Sequence, residues 1–131
     1  MTPEAIVDLQ QHPIQDARYT QTCREQLDRT GALVMENFLT SKIVESLQNE
    51  ARKVRPLAYF CCQNHNAYLL DSDPDFPAEH IRNRQQVSDK GCVPHDQIPE
   101  RSPLRMLYEW PDFSGFLEGV LGEPIFPYAD T

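Results

Sequence analysis

Proline at position 111 constrains this chain more than any other single residue. Its ring removes a backbone donor and clashes with the preceding turn, so no helix runs through it undisturbed. The apolar pattern on either side therefore belongs to two helices, with a break at Glu109-Trp110. Ser102-Pro103 reads as an N-cap followed by proline at the first helical position, with Leu104, Leu107 and Tyr108 on one face. Pro111-Asp112 opens the second helix. Its Phe113, Phe116, Leu117, Val120 and Leu121 make one apolar stripe, and Gly122 stops it. Glu109 and Trp110 are the chain's only adjacent acid and indole. A junction pinned on both sides is a good place to hold a carboxylate still. The same pair also suits a plainer arrangement, with Trp110 as a core anchor and Glu109 on the surface.

The earlier part of the chain carries the same helical punctuation. From about Asp16 to Thr30, Tyr19, Cys23 and Leu27 fall one turn apart, and Gly31 follows as a stop. Ala32 to Phe38 is a short apolar, β-rich run that reads as a strand buried on both faces. Thr40 or Ser41 then caps a helix whose Ile43, Leu47, Ala51 and Val54 form a stripe ending before Pro56. Residues 1–15 read either as an extended arm laid on the domain or as the start of a short helix at Thr2-Pro3-Glu4.

The middle is sparser in apolar residues. Leu57 to Phe60 reads as extended, and His65-Asn66-Ala67-Tyr68-Leu69-Leu70 as a second strand with Tyr68 and Leu70 on one side. Asp71 to Pro77 is an acidic turn, and Ala78 to Pro103 a long polar loop or lid. Pro124 to Tyr128 looks like the start of a further strand. The whole reads as one α+β domain, or part of one, over residues 1–131.

Charge and composition exclude several functions. A net charge of −8, with no basic cluster to offset it, argues against nucleic acid and anionic membrane surfaces. No apolar run approaches the ~20 residues that span a bilayer, and the N-terminus lacks a signal peptide's basic and apolar regions. A cytoplasmic protein is the expectation. Cys61-Cys62 and Cys92 lack Cys-x-x-Cys spacing, and Cys23 reads as a small core residue, so a reducing compartment fits best.

Metal and nucleophile signatures are equally thin. None of His12, His65, His80 and His95 has an acid two places on, as a His-x-Asp iron motif requires. His-x-x-x-His, the P-loop, the paired-glycine dinucleotide fingerprint and Gly-x-Ser-x-Gly are absent. Asp71-Ser72-Asp73-Pro74-Asp75 imitates a calcium loop, but it holds two prolines by Pro77 and no closing glutamate. A zinc site from His65, Cys61 or Cys62, and Cys92 is conceivable in space, as is a Cys61 or Cys62 nucleophile beside His65 or His95. Nothing in the spacing asks for either, and no lysine lies near Cys61 or Cys62 in the sequence to lower a thiol pKa.

Five segments in order carry a family likeness. They are Leu27 to Leu39, His65-Asn66-Ala67-Tyr68, His95-Asp96-Gln97-Ile98-Pro99, Leu107-Tyr108-Glu109-Trp110-Pro111 and Pro127-Tyr128-Ala129-Asp130. The first resembles the opening of the iron(II)/2-oxoglutarate-dependent oxygenases of the phytanoyl-CoA dioxygenase type. The others resemble the N-terminal half of the branch that hydroxylates or halogenates free, lysine-like amino acids. The resemblance implies a distorted double-stranded β-helix, or jelly roll, with helices packed outside it. It implies Fe(II) and 2-oxoglutarate as cofactors and a small amino-acid-like substrate near His65, Asn66, Glu109 and Trp110, with the Glu109 carboxylate pairing with the ammonium group.

Two departures qualify that likeness. Relatives carry an arginine before the His-Asn pair, suited to gripping a substrate carboxylate, where this chain has Gln63-Asn64. The iron motif and the 2-oxoglutarate-holding basic residue would follow Tyr128-Ala129-Asp130, so the expectation is an N-terminal portion with the barrel incomplete and no metal ligands of its own. Apolar faces such as Ile43-Leu47-Ala51 would then be uncovered, each wet large side chain forfeiting roughly 1.5–3 kcal/mol. Such a chain would pair with a complementary C-terminal polypeptide or with itself. The alternative is a stand-alone small-molecule or protein-binding domain, degenerate from the same family.

Overall fold

A computed structural model describes residues 2–127. It is a mixed α+β chain with four α-helices and one two-stranded antiparallel sheet among the described residues. The helices are α1 (Ala17–Thr30), α2 (Ser41–Val54), α3 (Pro103–Tyr108) and α4 (Pro111–Leu121), and the strands are β1 (Tyr59–His65) and β2 (Gln86–Cys92). Short 3-10 turns occupy Pro3–Ala5, Arg55–Leu57 and His95–Gln97. No helix among the described residues is long and apolar enough to cross a membrane.

The chain divides into two compact units. One comprises Met1–Lys53 with Ile98–Thr131, the other Val54–Gln97.

The first unit owns the hydrophobic core. Ile6, Val7, Ile14, Cys23, Ile43, Trp110, Phe116 and Val120 are buried, and Leu27, Leu47, Leu107, Phe113 and Leu117 pack against them. The punctuation anticipated from sequence is present at atomic detail. Asp16 caps α1 by accepting from the Arg18 amide at 2.7 Å, and Gly31 and Gly122 close α1 and α4 in the left-handed conformation. Ser102 caps α3 ahead of Pro103. Thr40 precedes α2, its carbonyl accepting from Ile43 and Val44, while its hydroxyl turns to the Ala5 carbonyl at 3.5 Å.

Residues 2–16 combine both readings. A 3-10 turn at Pro3–Ala5 is followed by extended chain that enters the core through Ile6, Val7 and Ile14. His12 is buried there. One ring nitrogen, Nε2, meets the Glu36 carbonyl at 2.7 Å and must donate to it, which leaves Nδ1 to accept from the Tyr19 hydroxyl at 2.7 Å in the neutral ring.

Four local expectations are corrected. Ala32 to Phe38 is irregular chain, not a strand buried on both faces: only Leu39 bridges to Val7, a turn with Asn37 at φ 56° intervenes, and Val34 is 72% exposed. A strand exists through its ladder, and without a neighbour β-propensity alone does not make one. Leu104, Tyr108 and Leu121 are exposed, so the stripes of α3 and α4 are narrower than their apolar residues imply. The 78–103 stretch is not all loop, because it contains β2. Pro124–Pro127 is not in a strand, and Tyr128 lies outside the described residues.

The second unit is built differently. Its antiparallel hairpin pairs Tyr59 with Cys92 and His65 with Gln86 at its two ends. Its only buried side chains among the described residues are two asparagines, Asn66 and Asn83. Asn83 bonds the Asp73 amide through Oδ1 at 2.7 Å and the Asp73 and Phe76 carbonyls through Nδ2, both at 2.8 Å. The Arg82 guanidinium lies 5.4 Å from the ring centres of both Tyr68 and Phe76 and pairs with Asp73 at 3.0 Å. Polar clamps and a cation–π stack here take the place of an apolar core.

Candidate functional site

The residues singled out by the resemblance fall into both units. His65 and Asn66 belong to the second, Glu109 and Trp110 to the first.

His65 ends β1, and Asn66 begins a tight turn in place of the expected strand from His65 to Leu70. The Asn66 side chain makes that turn. Its Oδ1 accepts from the Tyr68 and Leu70 amides at 3.0 and 3.2 Å, and its Nδ2 donates to the Leu70 carbonyl at 2.7 Å. An asparagine that bonds its own backbone two and four residues on competes directly with strand pairing, which is why the apolar residues after it do not extend the ladder. The turn forces Leu69 to φ 56° while leaving it 73% exposed. A leucine in that conformation is strained by about 1–2 kcal/mol, so the asparagine clamp is holding a shape the chain does not favour.

That turn walls a cavity of about 750 Å³ lined by Gln63, Asn64, His65, Leu69, Leu70, Asp71, Ser72 and Gln85. Three amides, one carboxylate, one imidazole and one hydroxyl share the opening, so it offers donors and acceptors at once. His65 is oriented by its backbone neighbour, with Nδ1 2.9 Å from the Asn66 carbonyl. Nδ1 must be the donor there, which presents Nε2 as an acceptor in the neutral ring. Gln63 and Asn64 contribute neutral amides to the lining.

Glu109 and Trp110 separate at the α3–α4 elbow. Trp110 is 5% exposed and anchors the core, whereas the Glu109 side chain is 59% exposed. Arg105, one turn earlier, holds the Glu109 carboxylate at 3.2 Å and donates to the Ile98 carbonyl at 3.3 Å. Glu109 also lines a groove of about 420 Å³ with Tyr108, Phe113, Ser114, Leu117, Ile125, Phe126 and Pro127. The groove therefore offers one carboxylate to an otherwise apolar guest. Any ammonium group placed there shares that carboxylate with Arg105.

No protein-family model, no curated protein and no solved structure matches the chain.

The described residues do not bring together the donor set of an oxygenase's iron centre. Among the described residues no three His, Cys, Asp or Glu side chains converge on one point. The histidines have other work: His12 spends both nitrogens in the core, and His80 stacks on Phe76 while its Nδ1 accepts from the Arg82 amide. The zinc arrangement considered above fails on register. His65 and Cys92 lie at opposite ends of the seven-residue ladder, about 20 Å apart by strand rise. Asp73, in the calcium-like turn, is committed to Arg82 and to the Asp75 amide.

Sequence reasoning missed Asp71, Ser72 and Gln85 beside His65, and Phe113, Leu117 and Phe126 beside Glu109. The signal for the first group was the Asn66 turn, which brings residues 69–72 back over the strand end. For the second it was the short α3–α4 connection, which folds the apolar stripe of α4 against the carboxylate.

Proposed function

We propose that the chain is the N-terminal, substrate-side portion of a non-haem iron(II)/2-oxoglutarate-dependent oxygenase, a hydroxylase or halogenase of a small amino-acid-like substrate, and that it is not catalytic alone. One observation carries the reading: His65 and Glu109, two polar residues of the family-like segments that the resemblance assigns to the substrate, each line a cavity within their own unit. On this reading the four helices and the hairpin are the helical and short-strand part of a distorted jelly roll. Within the first unit Glu109 is the ammonium partner and Trp110 holds the elbow from within the core; within the second, His65 and the amides around it form a polar binding surface of their own. The iron ligands and the group that holds 2-oxoglutarate come from polypeptide other than these residues; when bound, iron and 2-oxoglutarate would supply the oxidising chemistry.

The test is succinate formation from 2-oxoglutarate with Fe(II), ascorbate and an amino-acid panel. The isolated chain is expected to give none above background, and activity is expected once a polypeptide carrying the His-x-Asp or His-x-Gly motif is supplied. Robust turnover by the isolated chain contradicts the proposal.

The second reading is a stand-alone small-molecule-binding domain degenerate from that family. It is favoured by the polar lining of the cavity at His65, whose amides, carboxylate, imidazole and hydroxyl could hold a small polar ligand. Amino-acid binding by the isolated chain, with no gain of turnover on adding the iron-bearing polypeptide, would select it.

A further inference from the structure

The hairpin of the second unit is an unfinished sheet. The Tyr59–His65 backbone pairs only with β2 among the described residues, so its outer N–H and C=O groups form an open edge. A two-stranded ribbon without a covered face is marginal in water, and both faces here are wet: Tyr59 is 69%, Phe60 58% and Val87 71% exposed.

The two edges differ in charge. β2 reads Gln-Val-Ser-Asp-Lys-Gly-Cys and carries Asp89 and Lys90 at its centre, the kind of residues that guard an edge against pairing. β1 reads Tyr-Phe-Cys-Cys-Gln-Asn-His and carries no Asp, Glu, Lys or Arg. Its edge is unguarded.

From this we infer that the chain forms a twofold dimer through antiparallel pairing of β1 with β1 of a second copy. Ladder geometry restricts the register, and maximal overlap selects it. Outward-facing backbone groups alternate along a strand, so residues of like parity must stand opposite each other and the twofold axis falls on a residue. Full overlap of the seven residues places it at Cys62. Phe60 then faces Asn64, Cys61 faces Gln63 and Tyr59 faces His65, with no like charges opposed. The same operation on β2 sets Asp89 against Asp89, a repulsive pair. A twofold contact closes on itself and leaves each β2 edge with its charges outward, which prevents growth into a filament. The inference is independent of the oxygenase reading.

The register makes a specific crosslink. Directly opposed residues have Cα atoms about 4.5–5.5 Å apart, within the span of a disulfide, so Cys62 can join its own copy. The chain carrying Cys61→Ser and Cys92→Ser keeps Cys62 as its exposed thiol, since Cys23 is buried. Oxidation by diamide, which takes the two electrons as two thiols become one disulfide, is expected to give a covalent dimer under native conditions and far less in urea. Sedimentation of the unoxidised wild-type chain is expected to show a concentration-dependent dimer. Cys62→Lys, which opposes two ammonium groups on the axis, should weaken association by about fivefold or more. Asp89→Lys on the other edge should leave it unchanged. A monomer at every concentration overturns the inference. So does a dimer indifferent to Cys62→Lys, or a Cys92-only chain that crosslinks as fast as the Cys62-only chain.

Discussion

Ser102 donates its hydroxyl to Glu50 Oε1 at 2.6 Å across 52 residues of sequence, while the same oxygen accepts from the Leu104 amide at 3.1 Å as the cap of α3. One buried hydroxyl thus fixes where α3 starts and ties it to α2. Ser102→Ala removes both bonds and strands the carboxylate, so a loss of about 2–3 kcal/mol is expected in chemical denaturation. Glu50→Gln keeps an acceptor in place and should cost about 1 kcal/mol.

Two glycines on α4 should respond in opposite directions. A Cβ at Gly115 meets nothing within 4 Å, whereas one at Gly119 would lie 2.6 Å from the Thr20 methyl on α1. Gly115→Ala should stabilise by about 0.5–1 kcal/mol through helix propensity. Gly119→Ala gains the same propensity but forces α1 and α4 apart, and a net loss of about 1–2 kcal/mol is expected. Thermal or urea midpoints of the two variants check this.

Burial pushes the Tyr19 phenol from 10.0 up to about 12, and the neighbouring Cys23 thiol adds to the shift by hydrogen bonding and charge. The folded state therefore holds this proton after the unfolded state has released it. The contribution is fully present below pH 10 and is lost as pH rises through about 12. Urea denaturation of wild type and Tyr19→Phe at a series of alkaline pH values should show the difference between them shrinking over that window.

The Asn66 clamp should be graded by substitution. Asn66→Asp keeps the Oδ1 acceptor for Tyr68 and Leu70 but loses the donor to the Leu70 carbonyl, and Asn66→Ala loses all three bonds. Hydrogen-exchange protection of the Tyr68 and Leu70 amides should therefore fall in the order Asn, Asp, Ala. Equal protection in all three would show that the turn is held by something else.

Helix punctuation was legible because it is local chemistry. Asp16, Gly31, Ser102-Pro103, Pro111 and Gly122 act on backbone groups within a turn of themselves, so a reading of neighbours suffices. The strands were legible only in part: Tyr59 and Phe60, within the extended reading of Leu57 to Phe60, open β1, and the rest was hidden for the converse reason. β2 is polar and exposed and takes its conformation from β1, while Ala32 to Phe38 has the right composition but no partner. Asn66 and Asn83 carry the second unit through contacts to turns on either side, and no apolar pattern announces them. The candidate site divides the same way: Glu109 and His65 were found through motifs, but Asp71, Gln85 and Phe126 reach them only through folding.

The most direct test of the account is a titration of the isotopically labelled chain with L-lysine, followed by backbone amide shifts, for wild type and Glu109→Gln. The account predicts saturable shifts among the amides of residues 108–117 in wild type. Replacing the carboxylate removes a charged hydrogen-bond partner, so Glu109→Gln should bind about tenfold or more weakly. Absence of saturable shifts there, or equal affinity in the two proteins, would contradict it.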